Sequence, residues 1–314
     1  MQLCLLQLDD ALETQAAFLR ACDADRAHRV QIDGSGIRLW GHHTDIAAFR
    51  EKAGRAIGSN REPRLTFMGS GDFHHVSAVL LASALEHCSE PVTLVHVDNH
   101  PDWVTFKKGS HCGSWLNCAL ENAQVQKVIT LGVCSNDLES PEPKLANLPL
   151  LSRGALELYP YDCEKSQISG NYGAGACFDQ VEDHLHWKTM RAIGEQNFVE
   201  YLLSRIETEA VYLSLDKDVL SREFAVTNWD QGAMQLPYLL SLIDEIGRKH
   251  RVIGADVIGD YSKPAYSGSP RSMLSKYYER FKDQPRGRPD PQNAADINSA
   301  TNLALLHAFS QVML

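Results

Sequence analysis

Five short apolar runs punctuate the chain, several of them closed by glycine or an acid: Leu65–Met68, Val92–Val97, Lys127–Leu131, Ala210–Leu215 and Arg251–Val257. They are rich in β-branched residues and apolar at consecutive positions, which predicts strands buried on both faces, as in a parallel sheet. Met1–Asp10 has neither a basic start nor a small-residue cleavage site, so it reads as a first strand and not as a signal peptide. Helical spacing fills the gaps. Val76–His87 carries apolar residues at Val76, Val79, Leu80 and Leu85, and Trp115–Asn122, Asn197–Thr208 and Pro237–Lys249 follow, the last opening on a proline suited to a first helical turn. Asn298–Met313 predicts an amphipathic closing helix. Strand and helix in alternation predict an α/β fold with right-handed crossovers, whose ligands sit at the carboxyl ends of the strands.

Two stretches read as loops. Asn136–Asn147 is rich in Pro, Ser and acid. Ser262–Asn293 carries Pro264, Pro270, Pro285, Pro289 and Pro291, with a short helix expected near Leu274–Phe281. The second is long for a compact domain and suits a lid or an oligomer contact. Neither interrupts the alternation, so residues 1–314 are expected to form one domain with 262–297 as its long loop or lid.

Composition narrows the class. A chain of 314 residues that is 44% hydrophobic can bury a full core. A net charge of −10 without a basic stripe makes nucleic acid and anionic membrane poor partners. No apolar run reaches the ~18 residues of a membrane span. The eight cysteines form no CxxC pair, which points to free thiols in a reducing cytoplasm and away from a disulfide framework or a cysteine zinc site.

The chemistry is concentrated where two of the runs end. Asp98, His100 and Asp102 follow one, and Asp216 and Asp218 follow another. In extended chain, side chains two apart point the same way, so each set converges. Four carboxylates in one place repel unless a positive charge lies among them. Oxygen donors with an imidazole suit manganese or another octahedral divalent ion. A third segment, Met68–Ser77, follows a strand and opens a helix, and it offers His74 and His75 as a further ligand.

These segments resemble the arginase/agmatinase family, the ureohydrolases of the arginase–deacetylase fold. That family carries GGDHS, DAHxD and SxDxD segments in this order. Here they stand as Gly71-Asp72-Phe73-His74-His75, Asp98-Asn99-His100-Pro101-Asp102 and Ser214-Leu215-Asp216-Lys217-Asp218. The resemblance implies a three-layer αβα fold with a central, mostly parallel sheet. It implies two manganese ions per subunit, or another divalent metal, bridged by hydroxide. Asp98 and Asp216 would help hold both, with His100, Asp102, Asp218 and one of His74 and His75 around them; spacing to the second segment favours His75. It implies that His111, in the loop before the Trp115 helix, is catalytic as the proton shuttle to the leaving amine, with Asp102 beside the reacting centre. The reaction class is hydrolysis of a non-peptide C–N bond in a guanidino or related linear small molecule, by a cytoplasmic homo-oligomer. Amide hydrolysis, as in the deacetylase branch, and a non-catalytic metal-binding role are the alternatives.

The departures lie in the specificity segments. The family's guanidinium-gripping Glu falls at Gly259, with Asp260 beside it. The TGTPxxGG stretch is replaced by Thr227–Gly232. Asp260 and Asp230 are therefore the expected holders of a cationic substrate group, with Trp229 as a pocket wall and Trp103 as another. Lys217, between the two metal acids, should point away from them and needs a buried partner.

Overall fold

The computed structural model describes residues 1–58, 61–287 and 289–313. Its central sheet has eight strands: β1 (Gln2–Gln7), β2 (His28–Gln31), β3 (Arg64–Gly69), β4 (Val92–Val97), β5 (Val125–Leu131), β6 (Leu156–Tyr159), β7 (Ala210–Asp216) and β8 (Arg251–Ile258). Their order is β2-β1-β3-β8-β7-β4-β5-β6, and every neighbouring pair is parallel. The three middle strands β8, β7 and β4 are buried along nearly their whole length. This is why they read as unbroken apolar runs: both faces of a parallel sheet are covered.

Two groups of helices flank the sheet. Ala16–Ala24, Glu195–Arg205, Leu236–Lys249 and Pro291–Val312 pack on one another, as do Ser77–Leu85 and Trp115–Leu120. The result is a three-layer αβα arrangement. The chain leaves β3, β8, β7 and β4 side by side in the sheet. Their four carboxyl ends therefore lie together, and with them the segments that begin at Gly69, Gly259, Asp216 and Asp98.

Several elements escape the apolar pattern. β2 buries a single residue, Val30. β6 holds a buried Glu157, neutralised by Lys127 at 3.0 Å and Arg205 at 2.6 Å. A small antiparallel sheet joins Ser166–Gln167, Phe178–Val181 and His184–Trp187, and another pairs Trp40–His42 with Gly109–His111.

Residues 262–297 are not one long loop. They hold helix α1 (Pro270–Asp283) and the first turns of helix α2 (Pro291–Val312). Two of the five prolines that suggest a loop, Pro270 and Pro291, stand at first helical positions, where the missing N–H costs nothing. Ser269 and Asp290 cap the two starts by accepting from the Ser272 and Asn293 N–H groups. α1 is tied down by the buried Lys276. Its ammonium donates to the Gly36 carbonyl at 2.8 Å and lies over the Trp40 ring at 4.7 Å. One face of α1 thus turns inward, while Leu274, Tyr278 and Phe281 are exposed.

Candidate metal centre

Four strand ends build the site. After β3, Gly71 lets the chain pass close to the β7 acids: a Cβ there would stand 2.6 Å from Asp216 Oδ2. The turn that follows places His74 at the centre. Its Nδ1 lies 2.9 Å from Asp98 Oδ2, 3.1 Å from Asp102 Oδ2 and 3.7 Å from Asp216 Oδ2. Its Nε2 meets Ser214 Oγ at 3.0 Å, and that hydroxyl donates to Asp256 Oδ1 at 2.9 Å. Ser214 therefore accepts from Nε2–H, and Nδ1 faces three carboxylates, donating to them when the ring is protonated and offering its lone pair to an ion when it is not.

His100 repeats the arrangement. Its Nδ1 lies 3.0 Å from Asp218 Oδ2 and 3.5 Å from Asp98 Oδ1, while its Nε2–H reaches Asp230 Oδ1 at 3.0 Å. Asp98 thus turns one oxygen toward His74 and the other toward His100. Backbone groups hold the acids in place. Asp98 accepts from the His100 N–H at 2.6 Å, Asp218 from the Asn99 N–H at 3.0 Å and Asp216 from the Asp218 N–H at 2.9 Å. Asp102 has a left-handed backbone, φ +46°, and accepts from Trp115 Nε1 at 2.7 Å. Such strain outside glycine persists where surrounding contacts over-determine it.

Positive charge beside these acids lies on the imidazoles: burial works against it, but Asp98, Asp102 and Asp218 hold His74 and His100 well above their ordinary range. Burial first, and then the neighbouring Asp98 charge, push Asp216 up to about 7. Burial and the charges of Asp216 and Asp98 also hold Asp218 well above the ordinary carboxylate range. For Asp98, burial raises the pKa, but hydrogen bonds from His100, His74 and His96 bring it well below its usual value. Divalent cations would resolve the repulsion among Asp98, Asp216 and Asp218. The donors fit such ions: among the described residues there are two groups of convergent ligand atoms, one of His74, His96, Asp98 and Asp102, the other of Asp98, His100 and Asp218.

The geometry selects among the candidates read from the sequence. His74, not His75, faces the acids. His75 is buried, neither ring nitrogen has a hydrogen-bond partner among the described residues, and burial pushes its pKa down to about 3. Phe73, the extra residue within the family's GDH pattern, is fully buried. Asp260 does not line the cavity. It is buried in an ion pair with Lys217 and takes the Asn302 amide N–H at 3.2 Å. The two departures at Lys217 and Gly259-Asp260 are thus one feature, a cation and its partner behind the site. Gly259 has φ +100°, and a Cβ there would stand 2.2 Å from Asp216 Oδ1. A glutamate at 259 would displace a central acid. Trp103 is buried against Trp187, with ring centroids 6.3 Å apart, and also lies away from the cavity.

A cavity of about 760 Å³ opens over the acids. Trp229 and Asp230 line it, as does His111. Trp229 is held by its Nε1–H on Asp72 at 2.9 Å, itself fixed by Arg38 at 2.6 Å. The sequence did not single out two residues here. His96, fully buried on β4, lies 3.0 Å from Asp98 through Nε2. The alternation His96, Asp98, His100, Asp102 contained the signal. Glu279, on α1, reaches the cavity and meets His111 Nε2 at 2.7 Å and Trp40 Nε1 at 3.1 Å. Only the fold brings a residue 168 positions away onto His111. Since His111 Nδ1 accepts from the Gly113 N–H at 2.8 Å, its Nε2 carries the proton and donates to Glu279.

Sheet order, helix layers and a carboxylate–imidazole cluster at the strand ends define an arginase-like αβα protein. Residues 15–148 match the arginase family model. The Bacillus cereus arginase structure is 14% identical, with a TM-score of 0.60 over 98% of each chain. Proclavaminate amidino hydrolase from Streptomyces clavuligerus is 15% identical, with a TM-score of 0.55 over 99% of this chain and 92% of that one. A hypothetical agmatinase from Burkholderia thailandensis is 15% identical, with a TM-score of 0.56 over 99% and 86%. An uncharacterised protein of Thermotoga maritima is 24% identical over 196 residues, a match spanning 62% of this chain and 58% of that relative. Residues 15–148 thus resemble the arginase family, and the chain as a whole has the fold of these solved structures.

Proposed function

We propose that this protein is a binuclear metallohydrolase that cleaves a C–N bond in a cationic guanidino or related linear small molecule. The observation that carries the reading is Asp98, whose two carboxylate oxygens face two different ligand groups, Oδ2 that of His74 and Oδ1 that of His100. His74, Asp98, Asp102 and Asp216 would hold one ion; Asp98, His100, Asp216 and Asp218 would hold the other, with manganese the family's metal. The ion pair would supply a nucleophile from water near neutral pH and stabilise charge at the attacked carbon.

The chain's own residues do the rest. Asp256, through Ser214, keeps the His74 tautomer; Asp230 keeps that of His100. His111, oriented by Glu279 and the Gly113 N–H, presents its Nε2 proton at the cavity edge for a departing nitrogen. Asp137 and Asp283 in the cavity wall are paired with Lys144 and Lys282. Asp230 and Glu279 have no lysine or arginine partner among the described residues, which favours a cationic substrate over a neutral amide. Trp229 supplies a flat wall beside His100, with ring centroids 5.4 Å apart. The same reading takes residues 1–314 as one domain of a cytoplasmic homo-oligomer. No helix among the described residues is long and apolar enough to cross a membrane, and the eight cysteines are free.

Elemental analysis after loading, followed by a urea- and amine-release screen over guanidines, amidines and acylated polyamines, tests the proposal. Two ions per chain and release from a guanidino or amidino compound are expected, both abolished in Asp98→Ala. Release from acylated polyamines alone, or full metal content in Asp98→Ala, would overturn it.

A further inference from the structure

The two ligand groups are unequal, and His96 makes them so. It stands two residues before Asp98 on β4, so both side chains leave the same face of the strand. The ring is fully buried. Its Nε2 is 3.0 Å from Asp98 Oδ2 and 3.6 Å from Asp102 Oδ2, among the same oxygens that face His74 Nδ1. Its far nitrogen, Nδ1, meets Thr130 Oγ1 at 3.1 Å. His74 and His100 show the same layout, with one ring nitrogen on an acceptor beyond the site and the other aimed at carboxylates. In His74 the hydroxyl partner is Ser214; in His96 it is Thr130. With Nδ1–H donated to Thr130, the Nε2 lone pair of His96 points among the acids.

We infer that His96 is a metal ligand, and that it gives the His74 position two imidazoles where the His100 position has one. The inference rests on the two-metal reading above. The position of His74, His96, Asp98 and Asp102 is nitrogen-rich. Imidazole suits zinc, iron, cobalt and nickel, whereas carboxylate-dominated sites suit manganese and magnesium. The first equivalent of metal therefore binds at the nitrogen-rich position, which prefers zinc or cobalt to manganese, and the second binds at Asp98, His100 and Asp218 with weaker discrimination. The native centre is mixed in selectivity, not a matched manganese pair.

The competing role for His96 is as a donor: Thr130 donates to Nδ1, and Nε2–H donates to Asp98 and merely orients it. The two tautomers are separable. Metal-stripped full-length protein is loaded with one equivalent of Zn²⁺, and the imidazoles around it are counted by X-ray absorption. Zn²⁺ and Mn²⁺ affinities are then measured by titration for wild type, His96→Gln and Thr130→Val. Two imidazoles on the first zinc are expected in wild type and one in His96→Gln. The zinc-over-manganese preference should fall roughly 10–100-fold in His96→Gln, a range typical of altered metal surroundings, and less in Thr130→Val. One imidazole on the first zinc in wild type, or an equal loss of zinc and manganese affinity in His96→Gln, would overturn the inference and leave the two-metal reading standing. Wild type that takes up no metal would remove that reading itself. The wild-type count decides even if the buried substitution fails to fold.

Discussion

Asp260→Asn separates stability from substrate binding. From the chain alone Asp260 is a candidate for the substrate's cationic group, and its loss would raise KM. In the structure it is the partner of Lys217, and both side chains are almost completely buried. Burial lowers the Lys217 pKa, and the Asp260 charge works against that fall. Removing one member of a buried pair costs ~3–5 kcal/mol, because the remaining charge is left without compensation. Asn302 Oδ1 still accepts from Lys217 Nζ at 2.7 Å, and the new amide oxygen can take part of the interaction. The lower end, about 3 kcal/mol, is therefore expected. At ~2–4 °C per kcal/mol for large domains, the melting temperature should fall by roughly 6–12 °C. Lys217→Met with Asp260→Asn, which removes the buried cation as well, should recover part of the loss. The assays are urea denaturation of the single and double variants and Michaelis kinetics on whichever substrate the screen yields. An Asp260→Asn protein with wild-type stability and a KM raised tenfold or more would refute the reasoning and return Asp260 to the substrate.

Three further outcomes follow from named contacts. Glu279→Gln removes the negative charge that faces the His111 proton and the cavity; kcat/KM on a cationic substrate should fall about 10–100-fold, the equivalent of ~1.5–3 kcal/mol for a charged hydrogen bond, with metal content unchanged by elemental analysis. Metal loss in that variant would show that Glu279 acts on the centre itself. Gly259→Ala forces a Cβ to within 2.2 Å of Asp216 Oδ1 at a backbone of φ +100°; metal affinity should drop at least tenfold by titration, and a variant that binds metal normally would show that the strand end yields freely. The buried Asp9 is raised to about 6, by burial first, with Arg38 opposing. Its folded-state pKa exceeds the unfolded value near 3.8, so the folded state holds its proton longer and stability falls as pH rises from about 4 to 6, on the order of 3 kcal/mol. Asp9→Asn should lose that slope and gain relative to wild type over the same window in urea midpoints; parallel curves would show that Asp9 is ionised throughout.

What the chain discloses and what it withholds divide along a physical line. Buried parallel strands announce themselves because both faces demand apolar residues, and Val92–Val97 and Ala210–Leu215 lie within or at their observed bounds. The acids Asp98, His100, Asp102, Asp216 and Asp218 are equally visible, because alternate spacing after such strands has few other uses. His74 and His75 could not be told apart, since a tight turn follows no fixed period. Only the contact with Ser214 and the acids distinguishes them. Asp260 misled for a different reason. A lone acid beside a lost glutamate looks like its replacement, yet the cation that claims it is 43 residues earlier in the chain. Glu279 stayed hidden because nothing in the spacing of its helix ties it to His111, 168 residues earlier. These errors share a cause. The candidate ligands are set by local spacing on neighbouring strands, but the groups that orient them and line the cavity arrive from distant segments. Keeping the sheet therefore keeps Asp98 and Asp216 in place, while a repositioned helix such as Pro270–Asp283 would change the cavity wall without disturbing them.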